Sequence, residues 1–314
     1  MIATMNKLNQ EIYQRYEMER MRQVHPNLDH MPKGGLHIQS KPAFTQIDPE
    51  KAGEFVLLTV RDPLCVYSKD PAELIASYLE NAECIGRSGM FTSYSGWYKG
   101  AHISVVSGGS GSPEMELALY DYMENTAAHT YLRVGGSGGI GTQVHPGDVV
   151  ISSGVVRSEG MTKAYIPAEY PAVSHYEVVN AMAMAASKLG ASYHVGVTLS
   201  IDSDVIGCGR PAVGGYLQPW NLDVLGIYNR AGVLNGDRES AAVVTLSALF
   251  GRRGGSVCSV TDNVVTDERF IEGVSKNMEI MIALEGCAIL KQMDEAKGSS
   301  KYWHPGISIN PEEA

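Results

Sequence analysis

The sequence predicts an α/β domain with a mixed, mostly buried β-sheet. Apolar runs of strand length alternate with segments of helical spacing along the chain, as is typical of α/β proteins. Two glycine-rich segments directly follow apolar strand runs. The 314 residues allow one large domain or two small ones, and the chain contains no internal repeat or low-complexity tract. We therefore expect one domain.

The elements are predicted in order from hydrophobic spacing. Short apolar runs bounded by turn residues predict strands, whereas apolar residues every three or four positions predict helices. The expected strands are 54–60, 90–94, 101–106, 130–134, 148–152, 193–200 and 255–260. The expected helices are 71–83, 113–125, 176–189, 238–250 and 267–291. The second and third strands form a hairpin, and Pro113 suits the first turn of the second helix.

Three segments are predicted along the chain. Residues 1–35 form a helical extension whose amphipathic pattern is broken at His25-Pro26-Asn27. Residues 36–296 form the α/β domain, and residues 297–314 form a C-terminal tail.

Composition excludes several classes of partner. The chain has 25 Lys and Arg against 35 Asp and Glu, a net charge of -10, which lacks the positive field that nucleic acids select for. No stretch approaches 18 consecutive apolar residues, so no membrane partner is expected. The five cysteines are dispersed without a C-x-x-C pair, which favours free thiols in a reducing cytoplasm. No His or Cys spacing indicates a metal site.

Two glycine clusters carry the main functional signal. They lie at residues 107–113 and 133–141, each after an apolar strand run. Glycine lets the backbone approach a ligand closely, and the exposed N–H groups of such loops suit an anion. Arg133 adds a charged donor for phosphate or carboxylate. Since ligands of α/β sheets lie beyond the carboxyl ends of strands, the two loops are expected to form walls of one site, although tight turns alone would also explain glycine.

An ordered set of motifs resembles the nucleoside phosphorylases of the purine and uridine type. The motifs are Leu36-His37-Ile38, Asp62-Pro63-Leu64, Tyr98-Lys99-Gly100, 107–113, 132–140, Gly147-Asp148-Val149-Val150 and 235–241. The resemblance covers residues 36–290 and implies a mixed, partly barrel-like central sheet flanked by helices. It also implies cleavage of an N-glycosidic bond by inorganic phosphate, which yields a free base and ribose 1-phosphate. Phosphate is then a co-substrate, and no cofactor is expected.

Within that family the chain is most similar to the uridine phosphorylases. Residues 156–160 and 165–173 resemble theirs, and Gly207-Cys208-Gly209-Arg210 stands where they carry Gly-Gln-x-Arg. One segment, Ser259-Val260-Thr261-Asp262-Asn263, instead resembles the purine enzymes, whose aspartate protonates the departing base. The resemblance therefore implies a pentosyltransferase that acts on a uridine-like nucleoside. The catalytic residues that it implies are Arg133, Arg210 and Asp262.

The phosphate ligands that the resemblance implies are only partly present. Those that match, or closely follow, a family position are Gly109, Gly111, Arg133 and Ser137. Two arginines of the family are replaced by Cys65 and Gly89. We expect Arg61 and Arg87 to supply the missing positive charge from new positions; the alternative is that both are ordinary surface residues and that the phosphate site is impaired.

The resemblance also assigns residues to ribose and base. Glu239 matches a glutamate that binds the 2′ and 3′ hydroxyls, and His37 matches a histidine that reaches the 5′ hydroxyl in the neighbouring subunit. Arg238 replaces a methionine under the sugar and could engage an acidic or phosphorylated sugar. The expected base ligands are Gly138, Cys208, Arg210 and Asp262. Cys208 replaces a glutamine that reads the pyrimidine edge, and a thiol cannot reproduce the paired donor and acceptor of an amide.

Several alternatives stay open from the sequence. A purine nucleoside phosphorylase, a nucleosidase that uses water and a nucleoside-binding protein without turnover all fit the altered motifs. Asp262 could equally cap a loop after its strand, and an acidic residue such as Glu239 suits a helix N-terminus for dipole reasons. Because His37 is expected to act across subunits, a homodimer is the predicted minimum unit, with a hexamer also open.

Overall fold

The computed structural model describes residues 36–63 and 65–310. Its strands are β1 His37–Ile38, β2 Lys41–Pro42, β3 Phe55–Val60, β4 Glu80–Arg87, β5 Thr92–Tyr98, β6 Ala101–Gly108, β7 Thr130–Gly139, β8 Val149–Ser158, β9 Ala172–Val173, β10 Tyr193–Ile201, β11 Val233–Asp237 and β12 Arg253–Asn263. Its α-helices are α1 Pro71–Ala76, α2 Ser112–Asn125, α3 Met161–Tyr165, α4 Tyr176–Lys188, α5 Pro219–Arg230, α6 Ser240–Leu249 and α7 Met278–Lys297. Short 3₁₀ helices lie at Pro49–Lys51, Ile206–Cys208 and Val213–Gly215. The predicted extension, residues 1–35, lies outside the described residues.

Strands β3 to β12 form one mixed sheet of ten strands that closes on itself in part. Because β11 pairs with both β10 and β7, the strands β7, β12, β8, β10 and β11 make a closed five-stranded barrel. From β7 the sheet continues through β3, β6 and β5 to β4 at its edge. This topology confirms the predicted α/β fold with a mixed, partly barrel-like sheet.

Helices cover both faces of this sheet. On one face, α4 and α7 pack on strand residues that include Leu57 and Leu132. On the other face, α2 and α6 pack on residues that include Val56 and Val106. Strands buried on both faces read as nearly continuous apolar runs, which is why β3 was recognisable in the sequence.

The helix predicted over residues 71–83 is wrong in its second half. Helix α1 ends at Ala76, and β4 occupies Glu80–Arg87. The carboxylate of Asp70 caps α1 by accepting from the Ala72 N–H at 2.9 Å. Strand β4 is mostly exposed and pairs with β5 alone, so its pairing depends on tertiary structure that hydrophobic spacing does not report.

Four further elements, β7, α5, β11 and α7, differ from the sequence predictions. Strand β7 continues through the second glycine cluster to Gly139, where a Cβ would lie 2.8 Å from the Asn263 amide nitrogen. Glycine is thus needed there for the close packing of β7 on β12. Helix α5 and strand β11 were not predicted, and α7 begins at Met278 instead of residue 267. In the part of the chain that the structure describes, no helix is long and apolar enough to cross a membrane.

The topology brings several strand ends to one place. Strands β3, β6 and β7 are parallel, so Arg61, the loop 108–111 and the end of β7 lie towards the same side. Strand β12 is parallel to β7, and its Asp262 pairs in register with Gly138. Strand β11 runs antiparallel to β7 and delivers the segment from Asp237 onwards to the same region. A cleft forms where these segments meet.

Candidate active site

The cleft is lined by residues from β3, β7, β10, β11 and β12 and from the loops that follow them. The space between its walls amounts to about 880 Å³, open solvent included. Its charged lining residues are Asp62, Arg133, Asp204, Arg210, Asp237, Arg238, Glu239 and Asp262. Its large apolar lining residues are Val60, Ile140, Leu199, Ile201, Leu225, Val264 and Phe270. An apolar wall beside convergent charges is typical of a small-molecule site.

Arg133 and Glu239 form the base of the cleft. The Arg133 guanidinium lies 3.0 Å from Glu239 Oε2, and both residues are 2% exposed. The other carboxylate oxygen, Oε1, accepts from the Gly111 N–H at 2.6 Å and from the Ser110 hydroxyl at 3.2 Å. The structure therefore brings the first glycine cluster, the second glycine cluster and the segment before α6 to one point. The sequence predicts that the two glycine clusters line one site.

Asp237 adds a second carboxylate behind this pair. Its Oδ2 lies 3.9 Å from Arg133 Nε and accepts from the Ser240 N–H at 3.0 Å, while its Oδ1 accepts from the Ser200 hydroxyl at 2.6 Å. Burial, together with the nearby charge of Glu239, raises the pKa of Asp237 to about 6. The Asp237 carboxylate thus accepts from the first N–H of α6, the helix whose N-cap residue is Glu239.

A second charged group lies on the opposite wall. Arg210 donates to the Asp262 carboxylate at 3.2 Å and to the backbone carbonyl of Asp204 at 2.8 Å. Burial raises the pKa of Asp262, although Arg210 opposes that shift. Burial also raises the pKa of Cys208, so its thiol is neutral at pH 7, and it faces the same space. Gly138 lies against Asp262, at 3.1 Å from Oδ1 to the position that a Cβ would occupy.

Arg238 lies between the two walls. Its guanidinium donates to the Ser110 hydroxyl at 3.2 Å and to the Asp204 carboxylate at 3.1 Å. Ser137 also lines the cleft, but its hydroxyl donates to the Ser259 carbonyl and accepts from Asn235. Its side chain is thus held within the barrel.

Five of the residues predicted to contact ligand do not line the cleft, and one of them is Gly111, whose N–H donates to Glu239. Arg61 forms an ion pair with Asp70 at 2.6 Å and donates to Thr92, so its charge is directed at the start of α1. Arg87 ends the edge strand β4, and His37 lies in the exposed strand β1. Gly109 packs on Glu114. Arg61, Arg87 and His37 remain predictions.

Comparison with known proteins identifies the family. The model of the phosphorylase superfamily matches residues 63–290. The chain belongs to the phosphorylase superfamily. It is 37% identical over 235 residues to a uridine phosphorylase from Thermococcus kodakarensis, which covers 74% of this chain and 84% of that protein.

Further relatives within the phosphorylase superfamily carry two kinds of name. A uridine phosphorylase from Haemophilus influenzae is 32% identical over 219 residues, which is 69% of this chain and 86% of that protein. A guanosine phosphorylase from Halorubrum lacusprofundi is 26% identical over 231 residues, 70% of this chain and 90% of that protein. These matches confirm the family that the ordered motifs indicated.

Two residues that line the cleft of this superfamily member, Asp204 and Phe270, are not among the site residues predicted from the sequence. Asp204 contacts both Arg210 and Arg238, and Phe270 contributes an aromatic wall. Asp204 was detectable in principle, because Asp202-Ser203-Asp204 directly follows a strand at its carboxyl end. Phe270 lies in a segment that was predicted as helix, which hid it. Among the described residues, no group of three or more His, Cys, Asp or Glu side chains could hold a metal ion.

Proposed function

We propose that this chain is a pentosyltransferase that cleaves the N-glycosidic bond of a uridine-like nucleoside with inorganic phosphate, releasing the base and ribose 1-phosphate. The observation that carries the proposal is one cleft that joins Arg133, Glu239 and the loop 108–111 on one side to Arg210 and Asp262 on the other. The names of the uridine phosphorylases that it resembles support the same reaction.

The first part of the cleft suits the sugar and phosphate. Glu239 can accept hydrogen bonds from two neighbouring hydroxyls, because a carboxylate offers about four lone-pair positions. The N–H of Gly111 and the guanidinium of Arg133 are donors for anionic oxygen. Their rigid placement would hold phosphate beneath C1′, and positioning of this kind is a main source of rate enhancement.

The second part suits the leaving base. A phosphate oxygen forms a bond to C1′ while the C1′–N bond breaks and its electron pair passes to the base. In this proposal, the guanidinium of Arg210 stabilises negative charge on a carbonyl oxygen of the base. The apolar wall that includes Ile140, Leu225 and Phe270 would contact the faces of the ring.

A purine base is the second candidate. Asp262 is a half-buried carboxyl whose raised pKa favours its protonated form, and a protonated carboxyl can deliver a proton to a purine nitrogen. A guanosine phosphorylase is among the relatives. Cys208 also lacks the paired donor and acceptor expected for reading uracil.

One experiment separates the candidates. The protein is incubated with uridine, thymidine, inosine and guanosine, with and without phosphate, and free base is quantified by chromatography. Uracil release that requires phosphate is the expected result, and faster release from guanosine would favour the purine candidate. Release without phosphate would indicate a nucleosidase. Thermal stabilisation by a nucleoside without release would indicate a binding protein and would overturn the proposal.

We also propose a homodimer as the minimum functional unit, with a hexamer as the larger assembly, in the cytoplasm. Exposed Leu36 and Ile38 flank His37, an arrangement that suits contact with a second copy. The structure describes all five cysteines, and each is unpaired, which suits a reducing compartment. Light scattering gives the assembly size. Mixing inactive His37→Ala and Arg133→Ala variants should restore part of the activity if His37 acts across the interface, and no recovery would contradict that role.

A further inference from the structure

The cleft that would hold an anionic co-substrate is rich in negative charge. Five carboxylates and three guanidinium groups line it among the described residues. Arg133 faces Glu239 at 3.0 Å and Asp237 at 3.9 Å, and Arg210 faces Asp262 at 3.2 Å. The charges of both arginines are thus already balanced by carboxylates that are mostly buried. Besides Arg133, a phosphate dianion would therefore gain from a further cation that is less fully paired.

Of the three arginines that line the cleft among the described residues, Arg238 pairs with the carboxylate that is most exposed to solvent. Its NH1 atom lies 3.1 Å from Asp204 Oδ2, but the Asp204 side chain is 44% exposed, so solvent screens this pair. Its Nε is buried and makes no hydrogen bond to any described residue. A buried donor without a partner is costly unless a ligand satisfies it.

The guanidinium of Arg238 lies directly against the glycine loop. NH1 donates to the Ser110 hydroxyl at 3.2 Å, and NH2 lies 3.3 Å from the position that a Cβ on Gly111 would occupy. The Ser110 hydroxyl and the Gly111 N–H both donate to a carboxylate oxygen of Glu239. In this structure both donors bind a carboxylate oxygen, and Arg238 lies beside them, so an anion bound next to the loop would contact Arg238.

We propose that Arg238 binds inorganic phosphate at the loop 108–111, which differs from the sugar contact that the sequence predicts. The inference rests on the proposed function for the identity of the anion. Phosphate takes the guanidinium in place of Asp204, and the two N–H groups on one side of a guanidinium can bind two phosphate oxygens. Asp204 is the competitor, so its negative charge weakens phosphate binding.

Phosphate binding is measured directly by isothermal titration calorimetry on the full-length chain and on four variants. Loss of a charged hydrogen bond predicts that Arg238→Met weakens the Kd for phosphate by about 10- to 100-fold. Asp204→Asn should tighten it several-fold. Arg230→Met is the control, because Arg230 is an exposed arginine at the end of α5 and does not line the cleft. Arg238→Gln is the second variant if Arg238→Met does not fold, as judged by circular dichroism.

The same variants are titrated with uridine and with uridine 5′-monophosphate. The Kd for uridine should stay within about twofold of wild type. A wild-type Kd for phosphate in folded Arg238→Met or Arg238→Gln would overturn the proposal, as would loss confined to uridine 5′-monophosphate, which would assign Arg238 to a sugar phosphate. If the wild type binds phosphate but releases no base, the proposed function fails, and the difference between wild type and Arg238→Met still decides the role of Arg238.

Discussion

The guanidinium of Arg133 and the carboxylate of Glu239 meet at 3.0 Å at the base of the cleft, 106 positions apart in the chain. Arg133 belongs to β7, and Glu239 directly precedes α6. Because Glu239 also accepts from the Gly111 N–H, one carboxylate connects three separate segments. The Arg133–Glu239 ion pair therefore has a structural role, because it holds together the three segments that form the base of the cleft.

Glu239→Gln should impair both roles. The substitution leaves Arg133 buried with only Asp237 as a distant acidic partner, and breaking a buried ion pair costs about 3 kcal/mol in the free energy of unfolding. Loss of a positioned charged group should also lower kcat/KM for the nucleoside by about 100-fold or more. Urea unfolding measures the first effect, and base release measures the second.

The exposed Glu50 provides the matched control for that experiment. Glu50→Gln makes the same chemical change on the surface, and both quantities should stay at wild-type values. Wild-type kcat/KM in Glu239→Gln would show that Glu239 does not contact substrate.

How far the sequence predicted this site depends on the kind of interaction. Arg133 is predicted from its place at the start of a glycine cluster, and Arg210 and Glu239 are predicted from motifs that resemble those of the phosphorylase family. The partners were not predictable, because they depend on tertiary distances. Asp70, for example, takes the guanidinium of Arg61 away from the cleft. Strands β4 and β11 likewise form because they pair with other strands, and local hydrophobic spacing cannot detect such pairing.

Cys208→Gln should improve the use of uridine. A neutral thiol donates only weakly, here to the Ser203 carbonyl at 3.8 Å, whereas an amide pairs a donor with an acceptor. Gaining a hydrogen bond to uracil is worth about 1 kcal/mol, so the KM for uridine should fall by roughly fivefold. Steady-state kinetics with uridine and guanosine would measure the change in preference.

Cys84 is the exposed cysteine for comparison. Cys84→Gln should leave both KM values unchanged. A rise in the KM for uridine in Cys208→Gln would show that the pocket has no room for an amide at this position, and that the chain selects another base.

Asp262→Asn should change the pH dependence of base release. Burial raises the pKa of Asp262, so the neutral acid persists to higher pH than it does in an ordinary carboxyl. If the neutral acid protonates the leaving base, kcat for guanosine falls as the pH rises through that pKa. Asparagine cannot deliver a proton, so the variant should be slower by about 100-fold or more and should lose this limb of the profile.

Asp223→Asn serves as the control, because Asp223 is exposed on α5. The profile is measured from pH 4 to 9 in buffers of constant ionic strength. An unchanged profile in Asp262→Asn would leave Asp262 as a structural partner of Arg210 and would remove its role as the proton donor to the base.

Glu177 should govern acid stability far from the cleft. It is buried at the start of α4, where it contacts Arg253 at 3.1 Å, Lys297 at 3.3 Å and the Trp303 N–H at 2.9 Å. Burial by itself would raise its pKa, but the Trp303 N–H and the two cations lower the pKa below its usual value. A lowered pKa in the folded state means that ionised Glu177 contributes stability above its ordinary pKa, and that this contribution is lost as the pH falls through the folded-state pKa.

Glu177→Gln should therefore lower the free energy of unfolding at pH 7 by about 3 kcal/mol, since it leaves Arg253 and Lys297 with Asp294 as their shared acidic partner. The difference from wild type should shrink as the pH is lowered towards 3, because wild-type Glu177 then becomes neutral as well. Guanidinium unfolding at a series of pH values measures both effects. Glu295→Gln, at a side chain that is 68% exposed, should have little effect at any pH. A Glu177→Gln deficit that stays constant from pH 7 to 3 would show that the lost contribution is packing and hydrogen bonding, with no part for the charge.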